Sequence, residues 1–251
     1  MSLLIAFRAE ILKTRKTVAF YCTLIAAAFI PVIYALNIFT HGLPDEDQSV
    51  KDPLNSIFNG SGVINTIAIF PLFVVVLCTL LAQIEYRNQA WKQVLSAPHT
   101  KANIFLSKFL TVQLMMVLFI VATHAFMWLV AVTAHYKLPG LHILDRPFDA
   151  GRIYQGLLNM YVSTLALCAI QFWISIRFKN FIIGIAVGLA LWLVGTLLAL
   201  EMKSPMAGYF PYSFPSMSVK LDSSAFNLRS LGSAFVILLV GFLEFRRSEK
   251  G

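Results

Sequence analysis

Charged residues are scarce in this chain: Asp, Glu, Lys and Arg together account for 13% of its 251 residues. Hydrophobic residues account for 58%, and the mean hydropathy is +0.75. A soluble domain carries about 25% charged residues, which keep its surface hydrated. The shortage of charge therefore excludes an ordinary soluble protein and indicates an integral membrane protein.

The motifs of common hydrolytic and nucleotide-binding sites are also missing. No Gly is followed by Lys, so the G-K-[ST] ending of a phosphate-binding loop is absent. There is no H-E-x-x-H motif and no G-x-S-x-G motif, so neither a zinc protease nor a serine hydrolase is indicated. We expect no catalytic residue, cofactor site or metal site in this chain. Any ATP and Mg²⁺ that drive its work would be bound by a separate chain.

Cysteines are few, and their spacing indicates no shared role. Cys22, Cys78 and Cys168 each lie inside an apolar run, and no C-x-x-C spacing occurs. Cysteines in such surroundings are typically small buried hydrophobic residues. They indicate no disulfide framework.

Apolar runs, by contrast, are long and numerous. A helix needs about 20 mostly apolar residues to cross a bilayer. Six runs approach that length, at about residues 17–39, 63–84, 109–132, 156–176, 181–200 and 230–245. The sixth is the shortest and has Glu244 near its end. The sequence therefore predicts an all-α integral membrane protein with six transmembrane helices in a single domain, 1–251.

The distribution of charge predicts the orientation of these spans. The net charge is +8, and most Lys and Arg residues lie before the first run, between runs two and three, between runs four and five, or after the sixth. Most Asp and Glu residues lie in the remaining loops. Positive charge concentrates on the cytoplasmic side of membrane proteins. We therefore expect both termini in the cytoplasm, and the positive charge to reflect topology rather than nucleic-acid binding.

Residues 1–16 are predicted to form an amphipathic helix on the inner leaflet. One side of this helix is apolar and the other is mostly charged. Such a helix lies in the interface with its cations near anionic headgroups. The alternative is a basic lead-in that only enforces topology. The apolar side comprises Leu3, Leu4, Phe7, Ile11 and Leu12, and the charged side comprises Arg8, Glu10, Lys13, Arg15 and Lys16.

The polar segment 85–108, between the second and third runs, is the strongest functional clue. Read as a helix, it places Tyr86, Ala90, Trp91, Val94 and Leu95 on one apolar stripe, with Arg87, Asn88, Lys92 and Gln93 facing the other way. Pro98 ends this pattern, and Thr100 is a candidate N-cap for a helix that starts with Lys101. The segment is predicted to be a short cytoplasmic helix whose apolar stripe meets a partner.

Polar and small residues inside the runs are the other candidates. His124 and Gln113 lie in the third run, where a polar side chain is costly and marks either a solute path or an interhelical hydrogen bond. Gly184 and Gly188 form a G-x-x-x-G motif, and Gly195 follows one heptad later. Such glycines permit close helix packing, either within one chain or between two chains.

Together these features resemble the permease subunits of ABC-2 type transporters. The resemblance rests on the order of elements over essentially the whole chain and on the local sequence E-Y-R-N-Q-A-W-K-Q-V-L-S-A-P-H-T-K, followed by Ser107-Lys108. Gln89-Ala90 replaces the usual Gly-Thr. The Y-F-P-Y-S-F-P segment, residues 209–215, is similar to proline-rich stretches in lantibiotic and bacitracin immunity permeases.

The resemblance implies a coupling helix that docks on a separate ATPase. It implies two ATPase copies, a second copy of this permease or a related one, and a multi-pass location in the bacterial cytoplasmic (inner) membrane. It also implies export, with antimicrobial peptides or other amphiphiles as the substrate class. The implied ATPase-coupling residues are Glu85, Tyr86, Arg87, Trp91, Lys92, Val94, Leu95 and Pro98.

Two alternatives remain open at this point. A non-transporting membrane scaffold would use the same segment to anchor a cytoplasmic partner. A membrane enzyme acting on lipid would need a cluster of acids or histidines at one interface, and no such cluster is evident in the sequence.

Overall fold

A computed structural model describes residues 3–42, 52–87, 100–145, 147–202, 204–220 and 223–247. These residues form helices, turns and short connections, and they contain no β-strand. Within these described ranges, six helices are long and apolar enough to cross a membrane. The predicted all-α membrane fold with six spans is therefore confirmed.

Nine α-helices make up the described part of the chain. One π-helical turn, Asn65–Ile69, joins two of them into a single span, and short 3₁₀ turns lie at 139–141, 205–208 and 211–213. The α-helices are α1 (Leu3–Thr14), α2 (Val18–His41), α3 (Pro53–Ile64), α4 (Phe70–Arg87), α5 (Lys101–Lys137), α6 (Ala150–Arg177), α7 (Phe181–Leu200), α8 (Phe214–Lys220) and α9 (Ser223–Arg247).

Several helices extend well beyond the predicted apolar runs, and the second span differs most. Its predicted start was residue 63, but helix begins at Pro53, which stands at the first helical position where its fixed φ is favourable. Leu54, Ile57 and Phe58 recur at helical spacing and are buried in a cluster with Met127 of α5. The stretch from Pro53 therefore packs as helix, although its polar residues resemble a loop.

The third, fourth and sixth spans also gain helical turns at their ends. α5 begins at Lys101, and Thr100 accepts a hydrogen bond from the Asn103 amide at 3.2 Å, which confirms the predicted N-cap. α6 begins six residues before the predicted run, where Asp149 caps the amide of Arg152. α9 extends the sixth run at both ends.

Pro71 explains an irregular feature of the second span. A proline cannot donate a backbone hydrogen bond to the carbonyl four residues earlier, here that of Ile67. This carbonyl lies in the π-helical turn and accepts a hydrogen bond from Trp192 Nε1 at 3.1 Å. A neighbouring helix thus satisfies the carbonyl that Pro71 leaves free, as a membrane interior requires.

α6 lies at the centre of the bundle, against α9, α4, α3 and α8, whereas α5 packs against α2 and α1. The buried core includes Phe70, Leu77, Met116, Phe119 and Leu167. Large apolar side chains also cover much of the outer surface, especially on α2, α7 and α9. A soluble protein rarely exposes so much apolar area, and a bilayer supplies the solvent that this surface needs.

The small-residue face of α7 packs within the chain. A Cβ on Gly188 would lie 2.5 Å from Val75 Cγ1 and 2.6 Å from Gln171 Oε1. A Cβ on Gly195 would lie 2.6 Å from the backbone of Tyr212, and one on Gly184 would contact Thr79. Of the two alternatives that the sequence left open, close approach inside one chain accounts for these glycines.

Candidate functional site

Four charged side chains meet at one end of the bundle and form a ring of alternating sign. Lys13 Nζ lies 2.7 Å from Glu10 Oε1 and 3.3 Å from Glu85 Oε1. Lys108 Nζ lies 3.2 Å from Glu10 Oε2 and forms a close ion pair with Glu85 Oε1. We refer to Glu10, Lys13, Glu85 and Lys108 as the Glu85 cluster. It joins α1, the end of α4 and the start of α5.

The Glu85 cluster is largely withdrawn from solvent. The side chain of Glu85 is 3% exposed, that of Lys108 11% and that of Glu10 14%, whereas Lys13 is 38% exposed. Burying a charge is costly unless it is paired, and each member of the cluster lies beside two side chains of opposite charge. Glu85 Oε2 has no hydrogen-bond partner among the described residues. A cavity of about 20 Å³ beside the cluster has room for one water molecule.

The pKa values of the two α1 members reflect this pairing. Burial by itself raises the pKa of Glu10, because the carboxylate loses hydration. Attraction from Lys108, with that from Lys13, outweighs burial and brings the pKa of Glu10 below its ordinary 4.5. Burial lowers the pKa of Lys13, but pairing with Glu10 and then with Glu85 raises its net pKa above 10.5. Both groups are therefore charged at neutral pH.

Local structure positions each member of the cluster. Glu85 lies in the last turn of α4, where the hydroxyl of the adjacent Tyr86 donates to the carbonyl of Ile176 at the end of α6. Lys108 lies two turns into α5, which the Thr100 cap starts at a defined residue. Glu10 and Lys13 are three residues apart on α1 and therefore share one face of that helix.

The predicted coupling residues fall into two groups. Glu85 and Tyr86 lie in the described structure at the end of α4, and Arg87 is the last residue of that helix. Trp91, Lys92, Val94, Leu95 and Pro98 lie outside the described residues. The predicted coupling segment, 85–108, is therefore described at both ends, 85–87 and 100–108, which belong to helices that the Glu85 cluster holds together.

Sequence reasoning missed the role of Glu10 and Lys13. They were assigned to the charged side of an interfacial helix, but their side chains contact the ends of α4 and α5. One available signal was that all four cluster residues flank long apolar runs. Charges at the edges of such runs lie at a similar depth, where oppositely charged residues can pair.

The two predicted intramembrane polar residues lie in different surroundings. Gln113 accepts a hydrogen bond from the Tyr161 hydroxyl at 2.8 Å and contacts Cys168 Sγ, so it links α5 to α6. His124 is half-buried and lines a cavity of about 250 Å³ near the opposite end of the bundle from the Glu85 cluster. The structure therefore places Gln113 in an interhelical contact and His124 beside open space.

The sequence comparison agrees with this architecture. The model of a family described as ABC-2 family transporter protein matches residues 6–195, which include all four members of the Glu85 cluster, the first four spans and most of the fifth. No curated protein matches the chain. Members of this permease family are typically non-catalytic membrane subunits that work with an ATPase partner. The chain therefore belongs to the ABC-2 family of transporter proteins and is a multi-pass transmembrane permease subunit.

Proposed function

We propose that this permease subunit exports its substrate with energy from a separate ATPase that docks on segment 85–108. The observation that carries the proposal is the Glu85 cluster, which joins the two helices flanking that segment to each other and to α1. An ATPase that moved the segment would pull on the end of α4 and the start of α5. Because the cluster ties these ends together, both helices and α1 would move as one unit.

The energetics of buried ion pairs support this role. Removing one partner of a buried pair costs roughly 3–5 kcal/mol, because the other charge is left uncompensated. A moderate force at the segment is therefore expected to shift the cluster as a whole rather than to break it. The Tyr86 bond to Ile176 extends the connection to α6, the central helix of the bundle.

The remaining parts of the proposal follow from the family resemblance. The working unit would contain two permease chains, identical or related, and two ATPase subunits that hold ATP and Mg²⁺. It would lie in the bacterial cytoplasmic membrane with both termini of this chain in the cytoplasm. The substrate class would be membrane-active peptides or other amphiphiles, as in the immunity permeases that the chain resembles.

A pull-down tests the ATPase partnership. The tagged chain is purified from its host in mild detergent, and co-purifying proteins and ATP hydrolysis are measured for wild type, Trp91→Ala and Tyr136→Ala. Tyr136 is an exposed aromatic residue near the opposite end of the bundle and serves as the control. Loss of an aromatic interface anchor costs about 2 kcal/mol or more, so Trp91→Ala is expected to weaken ATPase binding by about thirtyfold.

The outcomes of this pull-down distinguish a transporter subunit from a non-transporting membrane scaffold. Stoichiometric recovery of an ATPase that Trp91→Ala reduces and Tyr136→Ala does not would support the proposal. A different co-purifying partner with no ATPase, under conditions that preserve a known ABC complex, would favour a membrane scaffold.

Deletion of the gene tests the substrate class. The deletion strain is expected to become more sensitive to at least one membrane-active peptide in a broad panel, and expression of the chain in the same strain should restore resistance. Unchanged sensitivity across the panel would count against peptide export. It would not bear on the ATPase partnership, which the pull-down tests separately.

A further inference from the structure

The cavity that His124 lines is the largest polar space among those described, and no step of the proposed ATPase coupling uses it. It lies between the second span, α5, α6 and α8, near the end of the bundle opposite the Glu85 cluster. Its volume of about 250 Å³ is more than ten times that of the cavity beside the Glu85 cluster. That is enough space for the headgroup of a lipid.

Two deeply buried polar atoms in the wall of this cavity lack partners. Asn65 is 3% exposed and Thr123 is 2% exposed. Neither Asn65 Oδ1 nor Thr123 Oγ1 has a hydrogen-bond partner within the described part of the chain. The Asn65 amide nitrogen, by contrast, donates to the Ser61 carbonyl at 2.9 Å, which orients the side chain. A buried polar atom without a partner is destabilising, so a ligand that supplies the missing hydrogen bonds gains affinity.

His124 adds a third acceptor. Its Nδ1 lies 2.9 Å from the Ile120 carbonyl oxygen, which can only accept, so Nδ1 must carry the proton of that hydrogen bond. In the neutral ring Nε2 is then an acceptor. Asn65 Oδ1 and His124 Nε2 thus favour a ligand with hydroxyl donors, while the Thr123 hydroxyl can donate or accept.

The charge of the cavity is positive. Arg152 lines it and is exposed. No ion pair to Arg152 exists among the described residues, and no Asp or Glu lines the cavity. A guanidinium is well suited to binding a phosphate, because its donors match two phosphate oxygens.

Apolar side chains also lie at the opening. Val63 and Val219 line the cavity and are 41% and 38% exposed, and Val63 lies in the second helix that is long and apolar enough to cross a membrane. A ligand that enters between them has lipid on one side and the polar cavity on the other. This arrangement suits an amphiphile, whose acyl chains stay in the bilayer while its headgroup enters the protein.

We propose that this cavity binds a membrane lipid with a hydroxyl-bearing phosphate headgroup, of the phosphatidylglycerol type. Arg152 binds the phosphate, and Asn65 and His124 accept hydrogen bonds from headgroup hydroxyls, with Thr123 as a further partner. The site lies within one chain and does not depend on the ATPase coupling proposed above.

Thermal unfolding of the purified, delipidated chain tests the site. Dioleoyl-phosphatidylglycerol is titrated into the detergent-solubilised protein, with dioleoyl-phosphatidylcholine and glycerol 1-phosphate in parallel. Phosphatidylglycerol is expected to raise the Tm more than phosphatidylcholine, and glycerol 1-phosphate at the same concentration to have little effect. Arg152→Gln is expected to weaken phosphatidylglycerol binding on the order of tenfold, because it removes a charge-assisted hydrogen bond.

Thr123→Val separates ligand binding from simple structural loss. It removes an unpartnered buried hydroxyl, so it is expected to leave the Tm of the lipid-free protein unchanged or higher while reducing the lipid-induced shift. Two controls remove similar groups outside the cavity. Lys137→Gln removes a cation near the same end of the bundle, and Thr133→Val removes a hydroxyl that already donates to the Leu129 carbonyl.

The expected pattern is a lipid-induced shift reduced in Arg152→Gln and Thr123→Val and retained in both controls. Equal shifts in wild type and both cavity variants would overturn the site. A shift of the same size with glycerol 1-phosphate would overturn the assignment to a membrane lipid.

Discussion

Two sets of ion pairs near the same end of the bundle differ in burial although their distances are similar. The Arg177–Glu244 pair joins α6 to α9 at 2.6 Å, but its side chains are 52% and 39% exposed. In the Glu85 cluster, three of the four side chains are at most 14% exposed. Water screens an exposed pair, whereas a buried pair interacts through a medium of low polarity. Burial rather than distance therefore decides which pair can transmit movement.

The two sites also differ in what surrounds them in the sequence. Two members of the Glu85 cluster, Glu85 and Lys108, are the ends of segment 85–108, where a partner is proposed to dock, while Arg177 precedes a short turn between two spans. Glu244 additionally accepts a hydrogen bond from Trp173 Nε1 at 2.7 Å. We interpret the Glu85 cluster as a connection between moving parts and the Arg177–Glu244 pair as a local surface contact.

The largest effect is expected from Glu85→Gln. This change removes one of the two carboxylates that Lys108 and Lys13 share, and removal of one buried partner costs roughly 3–5 kcal/mol. The free energy of unfolding, measured by denaturant titration in detergent micelles, should fall by about that amount. A loss below about 1 kcal/mol would contradict the conclusion that burial makes the ion pairs of this cluster strong.

A double-mutant cycle sharpens the same point. Glu85→Met and Lys108→Met should each destabilise the protein, whereas the double variant should recover most of the loss, because apolar replacement of a buried pair is often neutral. Residues in direct contact show interaction energies of about 0.5–3 kcal/mol. The interaction energy is calculated from the free energies of unfolding of wild type, the two single variants and the double variant. If the losses of the two single variants simply add in the double variant, the two side chains do not interact.

Acid should weaken the cluster in a defined direction. The pKa of Glu10 is lowered in the folded protein, so its stabilising contribution is complete at neutral pH and is lost as the pH falls below 4.5 through the folded value. Wild type should therefore lose more stability than Glu10→Gln between pH 5 and pH 3. Parallel stability curves for the two proteins would show that Glu10 is not held charged by its neighbours.

The smallest effect is expected from Glu244→Gln. Exposed ion pairs contribute about 0–1 kcal/mol, and Gln retains an oxygen that can accept from Trp173. The variant should therefore unfold within about 1 kcal/mol of wild type, and the difference should shrink further in high salt. A loss as large as that of Glu85→Gln would remove the contrast between the two sites.

The spans could be predicted because run length depends on local composition alone. The Thr100 cap was predictable for the same reason, since its partner Asn103 lies three residues away. The helix from Pro53 was not, because Asn55, Asn59 and the glycines near residue 60 resemble a loop. That segment is helical because Leu54, Ile57 and Phe58 are buried against other helices, and burial of this kind outweighs local preference.

The candidate site was only partly predictable. Glu85 and Tyr86 were found from the pattern of one segment. The partners Glu10 and Lys13 are 72 or more residues away from Glu85, and their meeting depends on how α1 folds back against the start of α5. The cavity at His124 likewise combines residues from four elements. A single sequence contains the polar residues but not the distances between them.

ATP hydrolysis by reconstituted complexes tests the central claim most directly. Wild type and Glu85→Met/Lys108→Met are each assembled with the co-purified ATPase in liposomes, and the rate of each complex is compared with that of the ATPase alone. We predict that the double variant binds the ATPase normally but no longer changes its hydrolysis rate as wild type does. If both complexes assemble fully and the double variant changes the ATP hydrolysis rate as much as wild type does, transmission of movement through the Glu85 cluster is contradicted.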